Sequence, residues 1–349
     1  MFKHSSPTSF TQRPWPSGLL RLLSVLPGAG LSCVIAMAAT LISTLHGGPQ
    51  FLYALLFGVA LHHLSHDLKS QPGIEFCSRT VLRVGVALLG ARITASQIVG
   101  LGWETAAIVI AAVVTTLLCG VLLGRCMGMN RAQSVLSGGS VAICGASAAL
   151  AISAVLPQNK DSERFTLMVV VTVTVLSTVA MVIYPLLAKL LELPPELAGL
   201  FLGGTIHDVA QVVGAGYMLN PETGDYATIV KLFRVSMLAV VVIVISSLFK
   251  KERELAQDGA VAAKQPLVPW FLWVFVVLVI VNSAGGVPFA LQTGLNDVSR
   301  ACLVVAIAAL GLKTSFRKLS KAGWRPFGLL LVETLWMAGF VLMVIFLKP

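Results

Sequence analysis

From Thr105 to Leu123, from Phe165 to Leu187 and from Ser236 to Phe249 the chain carries no charged residue. Runs of such length reach across roughly 30 Å of hydrocarbon at about 1.5 Å per helical residue. Of 349 residues, 56% are apolar and 11% charged. A mean hydropathy of +0.88 goes with them, a balance far from that of a soluble domain. The chain reads as an all-α polytopic membrane protein of about eleven transmembrane helices. They are placed at 22–45, 51–64, 78–97, 104–126, 133–157, 164–191, 197–219, 228–249, 267–283, 297–313 and 325–347.

The net charge of +10 does not point to nucleic acid, because the basic residues occupy short loops between spans. Arg13, Arg21, Arg79, Arg83, Arg125, Arg131, Lys250, Lys251, Arg253, Lys313, Arg317, Lys318, Lys321 and Arg325 fall on one side; Glu222, Asp225 and Asp297 mark the other. The positive-inside rule places the basic side in the cytoplasm. With an odd number of spans, the N-terminus is then cytoplasmic and the C-terminus outside. Residues 1–20 lack the apolar core of a cleavable signal and read as a cytoplasmic tail. Residues 21–349 form one transmembrane domain, interrupted by a charged cytoplasmic linker at about 250–265.

Two apolar segments are broken by glycine and polar groups. One is Ser137-Gly138-Gly139-Ser140-Val141-Ala142-Ile143-Cys144-Gly145-Ala146-Ser147, the other Gly203-Gly204-Thr205-Ile206-His207-Asp208-Val209-Ala210-Gln211. An interrupted helix persists in a bilayer only where protein buries it or it lines a watery cavity. Half-helix ends at mid-membrane are a common way for secondary transporters to hold ions. Both segments therefore read as discontinuous helices that meet at a site.

Ser137, Gly138, Gly139, Ser140, Cys144, Gly145 and Ser147, with Gly203, Gly204 and Thr205, offer hydroxyls and backbone N–H groups to an anion. Small residues also serve close helix packing, which is the competing account. His207, Asp208 and Gln211 fall within one helical turn; ionisable groups there suit a coupling proton. Lys231 and Arg234, three residues apart on one helix face, are cations suited to an oxyanion. Arg92, after the same Leu-Gly pair as Lys313, suits a packing or interface role as well as substrate contact, and Glu333 is an isolated acid without a legible partner. His62, His63, His66 and Asp67 read as an aqueous loop, and the six cysteines as apolar structural thiols.

Shifting the chain by 221 positions aligns Val86–Arg92 with Ile307–Lys313 and Gly102-Trp103 with Gly323-Trp324. One copy runs outward and the other inward, the pattern of an inverted repeat. Gly138-Gly139-Ser140-Val141 also resembles Gly203-Gly204-Thr205-Ile206. A single span between them makes that pair parallel if both segments cross fully, which is awkward for a repeat. Either one of them is a re-entrant hairpin, or the match reflects only a shared need for small residues, and the sequence leaves the choice open.

The stretches at 138–149, 203–216 and 230–234 (Val-Lys-Leu-Phe-Arg) resemble the YeiH family of bacterial inner-membrane proteins. The resemblance runs from about residue 50 to residue 349. Members are labelled sulfate exporters and grouped with the cation/proton antiporter and anion transporter superfamily, whose folds carry crossed discontinuous helices and often a moving core. That resemblance implies a secondary transporter in the inner membrane, its substrate sulfate, sulfite or an organosulfonate. On this reading the chain is not an enzyme, needs no cofactor or metal, binds no nucleic acid, and meets membrane lipid and a small anion; homodimerisation stays open. An anion channel, or an intramembrane enzyme using Cys144 or a serine with His207, are the alternatives.

Overall fold

The computed structural model describes residues 18–46, 49–100, 102–157, 160–252, 270–314 and 324–347. Most of the N-terminal tail, most of the charged linker and the basic residues Arg317, Lys318 and Lys321 lie outside the described residues. Among those described, every regular element is helical. The order is α1 (Gly18–His46), α2 (Gln50–Ala60), α3 (Gln71–Phe76), α4 (Leu82–Leu88), α5 (Ala95–Gly100), α6 (Gly102–Cys126), α7 (Arg131–Ala142) and α8 (Ala146–Ser153). There follow α9 (Lys160–Leu190), α10 (Pro195–Thr205), α11 (Val209–Leu219), α12 (Pro221–Leu248), α13 (Trp270–Ser283), α14 (Phe289–Lys313) and α15 (Trp324–Leu347). A π-turn at Cys77–Val81 joins α3 to α4.

Among the described residues, six helices are long and apolar enough to cross a membrane, within α1, α6, α9, α12, α14 and α15; α2, α11 and α13 are apolar but shorter. Both segments expected to be discontinuous are broken in the structure. Segment 133–157 folds as α7 and α8, and segment 197–219 as α10 and α11.

The breaks follow from local chemistry. A capping box starts α7, where Asn130 accepts from the Gln133 N–H and the Gln133 side chain accepts from the Asn130 N–H, satisfying two of the helix's orphan donors. The helix ends where Ile143 leaves helical geometry and Gly145 turns left-handed at φ +63°, a conformation natural to glycine. Pro194 and Pro195 open α10, proline being suited to the first turn. It ends where Ile206 and Asp208 become extended, and the Asp208 side chain then caps α11 by accepting from the Ala210 N–H at 2.8 Å.

Each pair of half-helices folds back on itself. Gly139 of α7 packs against Ile152 of α8, and the start of α7 (Asn130 to Gln133) shares a cavity with the end of α8 (Ser153, Leu156). In the second pair, Gly199 and Gly203 of α10 meet Tyr226, Ala227 and Val230 of α12 in parallel order, whereas α11 turns back into α12 through Asn220, bringing Gly216 against Gly224 in an antiparallel pair. Arms of opposite sense on one neighbour make α10 and α11 antiparallel.

The helices pack in two sets. The first is α1 to α4 with α13 and α14; the second is α6 to α12 with α15, and α11 reaches across to α2 and α14. Under the 221-residue shift, α2 corresponds to α13 and α4 to the end of α14. Their contacts are reciprocal: Gly90 lies against Phe275 of α13, and Gly311 against Leu55 and Gly58 of α2. At each glycine a Cβ would strike a backbone carbonyl, of Phe275 in one case and of Leu55 in the other.

Candidate functional site

The tips of the two hairpins, Ile143-Cys144-Gly145 and Ile206-His207-Asp208, face each other about halfway along α12 and α15. Arg234 lies at the middle of the 28-residue α12 and Thr334 near the middle of the 24-residue α15.

The carbonyl ends of α7 and α10 converge on α12. The last four carbonyls of a helix have no intrahelical partner, and each such end carries roughly half a negative charge. Lys231 Nζ donates to Ile143 O (2.8 Å) and Ile206 O (2.9 Å). Arg234 donates to Val141 O (3.2 Å), Ala142 O (2.9 Å), Gly203 O (3.0 Å) and Ile206 O (3.2 Å), and to Met337 Sδ (3.3 Å). Both side chains are fully buried. The sequence placed these cations as ligands of an anion; in the structure their donors bind backbone carbonyls. The planar fork of five N–H groups lets one arginine serve both broken helices.

Most of the small residues sit inside the helix packing. A Cβ on Gly138 would lie 2.9 Å from Leu117 O on α6, and one on Gly203 2.5 Å from Ala227 O on α12. Gly139 faces Ile152 and Gly204 faces Val341. Ser140 donates to Leu136 O, and Thr205 to Phe201 O at 2.5 Å. These residues let helices approach closely. Cys144 is buried, with the Ser147 hydroxyl 3.3 Å from its Sγ.

The positive ends of α8 and α11 face the same junction. No side chain caps α8 at Gly145, and Ser147 in its first turn is exposed. Asp208 is half-buried, its N–H donating to Ser177 Oγ at 3.0 Å. Thr334 gives its hydrogen to Leu330 O, so its oxygen accepts from His207 Nε2–H at 3.0 Å; His207 Nδ1 is buried without a partner among the described residues. Gln211 Nε2 donates to Thr178 Oγ1 at 2.9 Å, leaving Oε1 unpartnered in the same sense.

Sequence reasoning missed α9 and α15 as walls of the site. Their signal was a few hydroxyls, Ser177, Thr178 and Thr334, on otherwise apolar helices. It also left Glu333 without a partner; the structure sets it against Ser137, whose Oγ lies 2.9 Å from Oε1. Arg92 Nε pairs with Asp225 Oδ2 at 3.0 Å, and the Tyr217 hydroxyl donates to Oδ1. Its repeat counterpart Lys313 pairs with Glu75 at 2.5 Å. His62 Nδ1 lies 2.6 Å from Leu312 O. A cavity of about 460 Å³ opens beside the Arg92 pair, lined by Arg92, Arg300, Tyr217, Gln50 and Asn296.

A family described as conserved hypothetical protein 698 matches residues 27–330. A UPF0324 membrane protein of Chlorobaculum tepidum is 49% identical over 324 residues, 93% of this chain and 90% of its own. UPF0324 membrane protein TauZ of Paracoccus pantotrophus is 49% identical over 316 residues, 90% and 93% of the two chains. A UPF0324 membrane protein of Rhizobium meliloti is 46% identical over 336 residues, 96% of each. No solved structure matches.

Proposed function

We propose that this chain, which belongs to the conserved hypothetical protein 698 (UPF0324) family of membrane proteins, is a secondary transporter of a small oxyanion working by alternating access. The observation that carries the reading is the meeting of two folded-back hairpins at mid-depth, their carbonyl ends held by Lys231 and Arg234. Such irregular backbone lies within a membrane only where it is buried in protein or lines a cavity, and transporters place their solutes at such breaks.

The electrostatics favour an anion. Two helix C-termini and two N-termini meet, and their half-charges cancel to first order. What remains at the tips is Lys231 and Arg234 against the carboxyl of Asp208. Protonating Asp208 removes a negative charge and leaves the tips more positive. A proton on Asp208 therefore strengthens the hold on a doubly charged ion such as sulfate, which couples proton to anion. Lys231 and Arg234 supply the field from behind the tips. Ser147 and the uncapped start of α8 offer the donors an oxyanion needs.

On this reading both hairpins are re-entrant, each returning to the side it came from. The crossings are then α1, α2, α3 with α4, α6, α9, α12, α13, α14 and α15, an odd number. The N-terminus stays cytoplasmic and the C-terminus periplasmic under the positive-inside rule. The matched Gly-Gly stretches then run antiparallel, as an inverted repeat requires, and the reciprocal contacts of Gly90 and Gly311 support one. The resemblance to the YeiH type and the superfamily of antiporters and anion transporters accords with this architecture.

Reconstituted vesicles loaded with sulfate or sulfite test the proposal. Saturable exchange that responds to a pH gradient is the expected result. Large uncoupled currents would make the protein a channel, and absence of flux across a panel of oxyanions and sulfonates would end the anion reading.

A further inference from the structure

Glu333 is the one charged residue of α15 between Arg325 and Lys348, and it is fully buried. A charged group so placed is costly and marks a pathway or a relay. Its Oε2 has no hydrogen-bond partner among the described residues. Its Oε1 lies where a Cβ on Gly120 of α6 would stand 2.5 Å away. Glycine at 120 thus opens the space that the carboxyl fills, against α7 at Ser137 and Gly138.

Ser137 has one hydroxyl hydrogen and two acceptors in reach: Glu333 Oε1 at 2.9 Å and Ser134 O, in its own helix, at 3.1 Å. While Glu333 is a carboxylate, that hydrogen belongs on Oε1. When Oε1 carries a proton, the carboxyl donates to Ser137 Oγ and the hydroxyl turns to Ser134 O. The proton state of α15 is thereby written into the hydrogen bonding of the first hairpin. One residue on, Thr334 holds His207 at the tip of the second hairpin; one turn on, Met337 accepts from Arg234.

The groups that face Glu333 are few. From α6 comes Cys119, a weak acid. From α7 comes only the Ser137 hydroxyl. Helices α9 and α10, also packed on α15, have no ionisable residue between 165 and 183 or between 197 and 205. Arg234 of α12 is held by carbonyls, and no ion pair to Glu333 occurs among the described residues.

We propose that Glu333 and Ser137 form a proton-binding site, distinct from Asp208, through which α15 reports protonation to the first hairpin. This rests on the transporter reading, in which the proton moves with or against the anion. Vesicle flux with sulfite as probe, together with infrared titration of the purified protein, tests it. Glu333→Gln keeps shape and burial. It should retain sulfite–sulfite exchange and lose the response to a pH gradient, and a carboxyl band that varies with pH in the native protein should vanish. Ser137→Ala should keep that band but shift its pH midpoint, and Glu333→Asp should restore part of the gradient response if the glutamine variant is poorly folded. Gradient-driven flux undiminished in Glu333→Gln would overturn the proton site while leaving the carrier intact. If the native protein moves no sulfite, the infrared titration alone decides: a pH-dependent band removed by Glu333→Gln sustains the site, and no such band refutes it.

Discussion

At the scale of single residues, the site is held by side chains that satisfy backbone. Arg234→Ala would strand the carbonyls of Val141, Ala142 and Gly203 in the interior and leave Ile206 O to Lys231 alone. Removing one partner of a buried charged network costs on the order of 3–5 kcal/mol. Thermal unfolding in detergent should show that loss with or without added anion, and Arg234→Lys should recover only part of it because an ammonium lacks the fork. A melting temperature that falls only when anion is present would instead make Arg234 a direct ligand. Asp208→Asn should keep the fold and abolish flux driven by a pH gradient, as measured in vesicles. Both side chains stood out in the sequence as charges in apolar surroundings. What the sequence did not reveal was the partner, since backbone carbonyls leave no mark in residue identity.

At the scale of elements, the two hairpins depend on turns and close approaches. Gly145 sits at φ +63° with a Cβ position 3.1 Å from His207 Cβ. Gly145→Ala should therefore cost of order 1–2 kcal/mol and displace the facing tip, read as a lowered melting temperature and slower flux. Gly203→Val should separate α10 from α12, because the added atoms meet Ala227 O and Val230; the readout is loss of the folded peak in size-exclusion chromatography. The discontinuities were legible in the glycine and polar residues within apolar runs. Their fold-back was not. A 25-residue apolar stretch has the same composition whether it crosses or returns, and only the order of the Gly199 and Gly203 contacts along α12, with the tight link from α11 into α12, fixes the sense of each arm.

At the scale of the whole molecule, the two helix sets meet where α11 touches α2 and α14. Phe51 and Tyr217 stand with ring centroids 6.1 Å apart across that contact, and Arg92 of the first set pairs with Asp225 of the second. If alternating access moves one set against the other, a short bis-thiosulfonate cross-link between Phe51→Cys and Tyr217→Cys in a background free of the six native cysteines should stop flux, and reductant, by cleaving it, should restore flux. Flux that continues through the cross-linked protein would rule out relative motion at this contact.

Sequence alone determined that the chain is helical, apolar and broken at two places, because lipid demands internally bonded backbone and glycine with polar residues interrupts it. It determined which residues carry charge into the interior. The tertiary structure decided that the broken segments fold back, that their carbonyl ends meet on α12, and that Glu333 finds Ser137. Those outcomes depend on residues distant in the chain coming within hydrogen-bond reach, and no local pattern encodes which distant groups will meet.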